Sequence, residues 1–405
     1  MSDAPATELT PEERHASWLE LFFDLVAVAG IGALAHLLEA DDSGTGLGIY
    51  VIAFTAIWTI WACFTLYANI RGEAVRTSTM LMGMAVLGVM IAAIPEIRSE
   101  HATAFAIAYV VGRMIAARPW QRTTVVVDLP VVQATFGVVP WIVSWWFDGN
   151  TQYALWALGL GIDLLLQLTT TREELVTKTQ ARLDRMLAAR KSRMDPTSQR
   201  QRHGDREIPT TIDAVDADLP LMGERLGLFV LIVLGEGLVQ IIDAASEAEW
   251  DRPLAITGAG AFALVFGLWG LAVRHGYAGV ALLPERRLSP RLSWSAHLLA
   301  TLALATIVAV LGGLVAEPGE QLSDHVQWLV LTAYVGYAVL AVSIHLVCTD
   351  YRRAAVVGVP FAIAATVVAA APEIAAEGAV WTLAAGVLVA VAAHVRGPRA
   401  EVTPA

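Results

Sequence analysis

The chain has 405 residues, of which 56% are hydrophobic and 16% charged, with mean hydropathy +0.58 and formal net charge -11. A soluble domain carries about 25% charged residues, so this much apolar surface excludes an ordinary water-soluble globule and makes a bilayer the expected solvent. The two cysteines, Cys63 and Cys348, lie in or beside apolar runs, which excludes a disulfide framework and a cysteine-based metal site.

Residues 1–16 are acidic and Pro-bearing, without the basic start of a secretory signal, and read as a cytoplasmic tail before a retained first span. A helix needs about 20 apolar residues to cross roughly 30 Å of hydrocarbon. Such segments fall at about 17–38, 47–70, 78–95, 102–118, 129–147 and 152–171, and again at about 221–242, 254–273, 294–316, 326–348, 354–372 and 379–395. The expected fold is therefore all-α and polytopic, with about 12 transmembrane helices. Its first membrane half covers 17–171 and its second 221–395.

With the N-terminus inside, arginines from Arg71 and Arg76 through Arg286, Arg287, Arg352 and Arg353 to Arg396 and Arg399 fall on inner loops or the inner tail at 396–405. The outer loops keep only Arg98 and Arg252 and are acidic, with Glu39, Asp148, Glu249, Glu317 and Glu320 among them. This asymmetry favours an even number of crossings with both termini cytoplasmic, in the inner membrane of a bacterium. The net charge then says little about a partner, because the two signs occupy opposite faces.

The interval 172–220 is the long hydrophilic segment. Its start, TREELVTKTQARLDRMLAARKSR, has helical spacing and a cationic excess, and 195–209 has the composition of a disordered stretch. A solvated cytoplasmic linker is the favoured reading over a helix that touches anionic lipid. Nothing in it points to nucleic acid.

Residues 20–40 align without a gap on 224–244, placing Glu20 opposite Glu224, Val26 opposite Val230, Leu34 opposite Leu238 and His36 opposite Gln240. A short loop difference then brings Trp61 opposite Trp269 and Tyr67 opposite His275. Six helices return the chain to its starting side, so the halves are expected to form a parallel repeat, as in major-facilitator transporters. The loop RGEAVR after the second span lacks that family's glycine-aspartate-arginine pattern.

The segments WLELFFDLVAVAGIGALAHLL and ERLGLFVLIVLGEGLVQII, with WACFTLYANIRG in the second span, resemble the bacterial low-temperature-requirement protein A family over about 18–395. The chain departs from that family's pattern at Ala27, where an aromatic is frequent, and at Gly237, where a serine is. The resemblance implies a multi-span membrane protein. It implies no defined substrate, since the family is named for growth in the cold.

A carboxylate at mid-span costs about 2.5–3.5 kcal/mol to insert, which makes an intramembrane acid a functional candidate. Glu236 is the strongest, about 15 residues or roughly 22 Å into the seventh span, between Gly235 and Gly237. Asp163 lies near the middle of the sixth span; should it share a cavity with Glu236, the pair would form a protonatable site. The bland alternative for both is a buried, hydrogen-bonded acid. Glu20 and Asp24 share one face of the first span, and Glu224 and Arg225 occupy the matching end of the seventh. A structural charge cluster, with Arg225 neutralising Glu20 or Asp24, is favoured over gating.

His36, His297 and His345 lack a close metal-ligand spacing, and no metal or cofactor is expected. Arg113 reads as snorkelling to the inner surface, with pairing to an acid inside the bundle as the alternative. Tyr67 and Asn69 read as caps or anchors, and the tryptophans as interface anchors rather than ligand stacks. GxxxxGK(S/T), HExxH and GxSxG are absent, so no catalytic residue is assigned. The leading expectation is a secondary transporter or permeation protein for a small molecule or ion, coupled to protons through Glu236 or Asp163. A non-transporting protein of cold adaptation or envelope stress comes second, and a membrane enzyme acting on a lipid-like substrate third.

Overall fold

The structure is a computed structural model that describes residues 15–40, 43–121, 125–126, 136–193, 213–214, 217–277, 288–371 and 373–395. Its elements are α1 (Trp18–Ala40), α2 (Gly44–Arg71), α3 (Thr77–Ala92), α4 (Ala102–Gln121), the short α5 (Val138–Val143), α6 (Asn150–Thr169) and α7 (Arg172–Arg193). There follow α8 (Leu219–Glu247), α9 (Arg252–Trp269), α10 (Pro290–Ala316), α11 (Asp324–Val347), α12 (Tyr351–Ala369) and α13 (Ala376–Val395). Two short strands, β1 (Val125–Val126) and β2 (Asp213–Ala214), pair in parallel.

Among the described residues, 8 helices are long and apolar enough to cross a membrane: α1, α2, α8, α9 with the π-helical turn Gly270–Arg274 that extends it, and α10 to α13. Helices occupy every predicted span except the fifth. The shortfall from the expected number has local causes. α3 has only 16 residues, α4 is broken in its apolar run by Arg113 and Arg118 and is not among the eight, and α6 joins them only together with α7, from which it is bent by 104°. At the fifth predicted span, the described part holds α5 and a single 3-10 turn, Ser144–Trp146, while 127–135 lie outside the described residues. The tails up to residue 14 and from 396, and the stretch 195–209, also lie outside them.

Polar residues at the turns set the helix starts. Ser43, Asp218, Asp251, Ser289, Ser323 and Asp350 each accept a backbone N–H three residues on, satisfying one of the donors that a first turn leaves open. α1 begins with a reciprocal cap. Ser17 N donates to Glu20 Oε2 at 2.7 Å, and Glu20 N donates to Ser17 Oγ at 3.4 Å.

Helices apolar on all sides belong at the centre of a bundle, and α2 and α10 follow the rule: every residue of 53–69 and of 304–312 is buried. The outer helix faces expose large apolar side chains such as Leu25, Leu81, Ile107, Leu165, Phe266, Val339 and Ile363. Charged groups, by contrast, are found inside, among them Glu20, Asp24, Arg113, Asp163, Arg225 and Glu236. That inversion of the water-soluble pattern is what hydrocarbon on the outside demands. The buried threonines Thr55, Thr59, Thr301 and Thr306 donate to carbonyls one turn back, so their hydroxyls are satisfied within their own helices.

In the first half, α1 packs on α2 and α3, α3 on α4, α4 on α5, α5 on α6, and α6 on α2. In the second, α8 packs on α9 and α10, α10 on α11, α11 on α12, α12 on α13, and α13 on α9. The halves meet where α8 and α10 lie against α1 and α2, with α10 also reaching α6.

Small residues let these helices approach closely. A Cβ built on Gly237 of α8 would stand 2.5 Å from Val308 Cβ of α10, a branch point that cannot swing aside. Gly237→Ala should therefore lower stability by about 1–3 kcal/mol, measured as thermal unfolding in detergent, and Val308→Ala in the same chain should recover part of the loss. Unfolding unchanged by Gly237→Ala would contradict this packing.

Candidate functional site: buried charges where the halves meet

At one end of the joint, Arg225 of α8 reaches across to α1. Its Nη2 lies 2.7 Å from Asp24 Oδ1 and its Nη1 3.4 Å from Glu20 Oε1. α2 completes the cluster: Trp61 Nε1–H donates to Asp24 Oδ1 at 2.8 Å, and Arg225 Nη2 donates to Thr65 Oγ1 at 3.4 Å. All three charged side chains are at most 5% exposed. The neutralisation expected of Arg225 is present, and the i, i+4 spacing of Glu20 and Asp24 lets a single guanidinium serve both. Glu224 takes no part; half-exposed, it lies 3.6 Å from His15 Nδ1.

One turn deeper, Trp58 Nε1–H donates to His297 Nδ1 at 3.1 Å, and His297 Nε2 lies 3.0 Å from the Leu226 carbonyl. An indole only donates and a carbonyl only accepts, so this fixes the His297 tautomer with Nε2 protonated. Both ring nitrogens are thus engaged in holding α2, α8 and α10 together, which leaves neither as a lone pair for a metal or a relay. Trp61 stacks on the imidazole, with Trp294 and Phe229 around it. The reading of the tryptophans as interface anchors is corrected here, since Trp58, Trp61, Trp141, Trp156 and Trp294 are buried in the bundle. Trp18, Trp146, Trp250 and Trp328, near helix ends, are exposed.

Arg113 is also corrected: it does not snorkel. It is 2% exposed, with Nη1 2.5 Å from Asp163 Oδ2 and 3.1 Å from the Tyr109 hydroxyl. α4 and α6 bring the two charges together, and pairing inside the bundle replaces an extended path to the surface. Asp163 Oδ1 faces Gly137, where a Cβ would stand 2.4 Å from it. A small cavity of about 20 Å³ between α2, α6 and α10 includes Asp163, Gln167 and Ser295 in its wall. Glu236 is not part of that wall, so Asp163 and Glu236 do not share this cavity.

Glu236 has a different environment. Its Oε1 accepts from Gln240 Nε2 at 2.9 Å, and among the described residues no basic side chain pairs with it. It fills the space left by Gly32 of α1, where a Cβ would stand 2.8 Å from Glu236 Oε1. Gly32 is also the residue that the 20–40/224–244 alignment sets opposite Glu236. Beyond Gln240, a Cβ on Gly312 would be 3.5 Å from both Gln240 Oε1 and Glu39 Oε1. Glu39 in turn lines a half-open cavity of about 540 Å³ formed by the end of α1, the end of α10, the α10–α11 loop and the start of α11. Glu236 is thus hydrogen-bonded to Gln240, whose Oε1 lies on the same side of Gly312 as Glu39 Oε1. Gln240 and Glu39 are additions to the expected site; the i, i+4 step from Glu236 to Gln240 is the signal that finds the first.

The remaining residues are peripheral. His36 is exposed, 3.5 Å from Glu39 Oε2. The Tyr67 hydroxyl accepts from Arg76 N at 3.1 Å, closing the turn after α2. Asn69 bonds both the N–H and the carbonyl of Asp218 at 2.9 Å, tying the end of α2 to the start of α8. His345 packs edge-on against Tyr277, whose hydroxyl meets His394 Nε2. Beside them His275, just past the π-helical turn, has its pKa lowered to about 4 by burial and by the neighbouring His394, Arg274 and Arg353.

Two outcomes follow. Arg225→Met strands two buried carboxylates and should cost about 3–5 kcal/mol, whereas the triple variant with Asp24→Asn and Glu20→Gln should unfold closer to wild type. Equal losses in the single and triple variants, followed by thermal unfolding, would speak against a charge-balanced joint. For His275, the unfolded chain takes up a proton near the ordinary value of 6.5 and the folded chain only near 4, so stability should fall as pH is lowered through that window. His275→Gln should flatten that part of the unfolding-temperature profile; an unchanged slope would remove His275 as its source.

Neither a curated protein nor a solved structure matches the chain. A family model does, described as Bacterial low temperature requirement A protein (LtrA), over residues 15–393, which include every buried charge named above. The chain belongs to the bacterial low temperature requirement A protein family.

Proposed function

We propose that this protein is a proton-linked secondary transporter or permeation protein of the bacterial inner membrane, and that Glu236 is its proton-binding group. The observation that carries the reading is the contrast among the buried acids. Asp163 is matched by Arg113, and Asp24 and Glu20 share Arg225. Among the described residues Glu236 has only the Gln240 amide, at the joint between halves. A carboxylate bonded by a neutral amide can exchange its proton without breaking an ion pair, whereas protonating Asp163 would leave a guanidinium uncompensated.

The architecture proposed with it is about 12 crossings in two halves related by a parallel repeat, with both termini cytoplasmic. The matching order of helix neighbours within each half supports the repeat. So does the meeting of Glu236 with its aligned counterpart Gly32. The joint itself is not symmetric, because α10 reaches α1, α2 and α6 while its counterpart α3 packs chiefly within its own half. On this reading the arginine-poor end, with Glu39, Glu317 and Glu320, faces outward, Arg113–Asp163 holds the first half in register, and Arg225–Asp24 ties the two halves together at the opposite end of the joint.

The test needs no identified solute. Protein reconstituted on a solid-supported membrane should give a transient charge displacement on a pH jump, and Glu236→Gln should abolish it while Asp163→Asn with Arg113→Met retains it. A signal that persists in Glu236→Gln, or a wild-type protein without one, would overturn the proposal.

A further inference from the structure

Between the end of α6 and the start of α7 stand only Thr170 and Thr171, and across them the chain turns by 104°. Several contacts build the corner. Thr170 is extended, at φ -81 and ψ 121, while its N–H still donates to the Leu166 carbonyl at 3.0 Å. Thr171 Oγ1 then accepts from Glu174 N at 3.2 Å, which caps the first turn of α7. Arg291, at the start of α10, donates to the Thr170 carbonyl and ties the corner to the bundle. Two residues reach at most about 7 Å, so α7 begins at the level where α6 ends. A helix that leaves a crossing segment at close to a right angle runs along the bilayer surface.

The residues of α7 fit that position. Leu175, Val176, Thr179, Leu183, Met186 and Leu187 recur at the spacing of one helix face. They form a stripe about 18 Å long, which Arg190 ends at the next position. Lys178, Arg182 and Arg185, four and three residues apart, follow one edge of the stripe, whereas Ala181 and Ala188 fall opposite it. Beyond the acids of its first turn, Glu173 and Glu174, α7 has six basic residues and a single acid, Asp184. Among the described residues α7 packs chiefly on β1, whose two residues extend about 7 Å and cannot cover such a stripe.

We infer that α7 is an interfacial helix for anionic phospholipid, with its apolar stripe in the headgroup boundary and Lys178, Arg182 and Arg185 against lipid phosphates. The sequence alone favours a solvated linker here; the corner at Thr170 and Thr171 reverses that preference. Through Arg291 the corner also connects this helix to α10, which lies at the joint between halves. The inference goes beyond the transport reading and takes from it only the crossing of α6.

The test is spin labelling of the full-length protein in vesicles, on a background of Cys63→Ala and Cys348→Ala, with Leu183→Cys or Ala181→Cys as the labelled position. Collision with oxygen reports hydrocarbon, and collision with a water-soluble nickel chelate reports solvent. In vesicles of phosphatidylglycerol and phosphatidylcholine, the label at position 183 should favour oxygen and the label at 181 nickel. The oxygen preference should be lost in phosphatidylcholine alone, and in the mixed vesicles when Lys178→Gln, Arg182→Gln and Arg185→Gln are combined. Equal nickel access at both positions would make α7 a solvated linker, and shielding of position 183 from both reagents would place protein on the stripe. Either result overturns the inference, as does an oxygen preference that ignores lipid charge. The premise has its own control, because Asn150 and Arg185 are both exposed. An impermeant thiol reagent should reach Asn150→Cys and Arg185→Cys from opposite sides of the vesicle; access from one side would overturn the inference without bearing on the pH-jump signal of Glu236.

Discussion

A charge without a partner in hydrocarbon costs several kcal/mol, more than most single helix contacts return. The arrangement of this bundle follows from that cost. Arg225 cannot stay buried unless α8 lies where α1 can offer Asp24 and Glu20, and Arg113 cannot unless α6 brings Asp163 to α4. Apolar side chains pack equally well against lipid or against another helix, so they select no single neighbour. The ion pairs do, and the aromatic and histidine contacts of α2 and α10 close around them.

Within that frame, Glu236 is the exception. It sits at the same joint, yet its partner is an amide and a missing side chain on the facing helix. A protein that used all of its buried acids as structural ties would place a cation there too. The departure from charge matching is why the proposed function rests on this carboxylate and not on the paired acids.

Much of this was legible in the amino-acid sequence. Apolar runs at regular intervals located the helices. The Glu20–Asp24 spacing, with Arg225 at the matching end of the seventh span, was enough to expect the cluster. The Arg113–Asp163 pair was not, because the two residues lie on α4 and α6, far apart in the chain, and hydropathy does not say which faces meet. The buried tryptophans were misread for the same reason: a ring facing lipid and a ring facing another helix leave the same mark on an apolar pattern. Length decided the spans less well, since α3 is short and the α5 region is broken into turns.

In the proposed transporter Glu236 exchanges a proton while Asp24 and Asp163 remain tied to arginines. Isotope-edited infrared titration of the protein in lipid addresses it directly, with glutamate and aspartate carboxyl groups labelled in separate samples. The account predicts a protonated carboxyl band that titrates in the glutamate-labelled sample and disappears in Glu236→Gln, with no matching band from aspartate. A titrating band that survives Glu236→Gln, or one that belongs to aspartate, would contradict it.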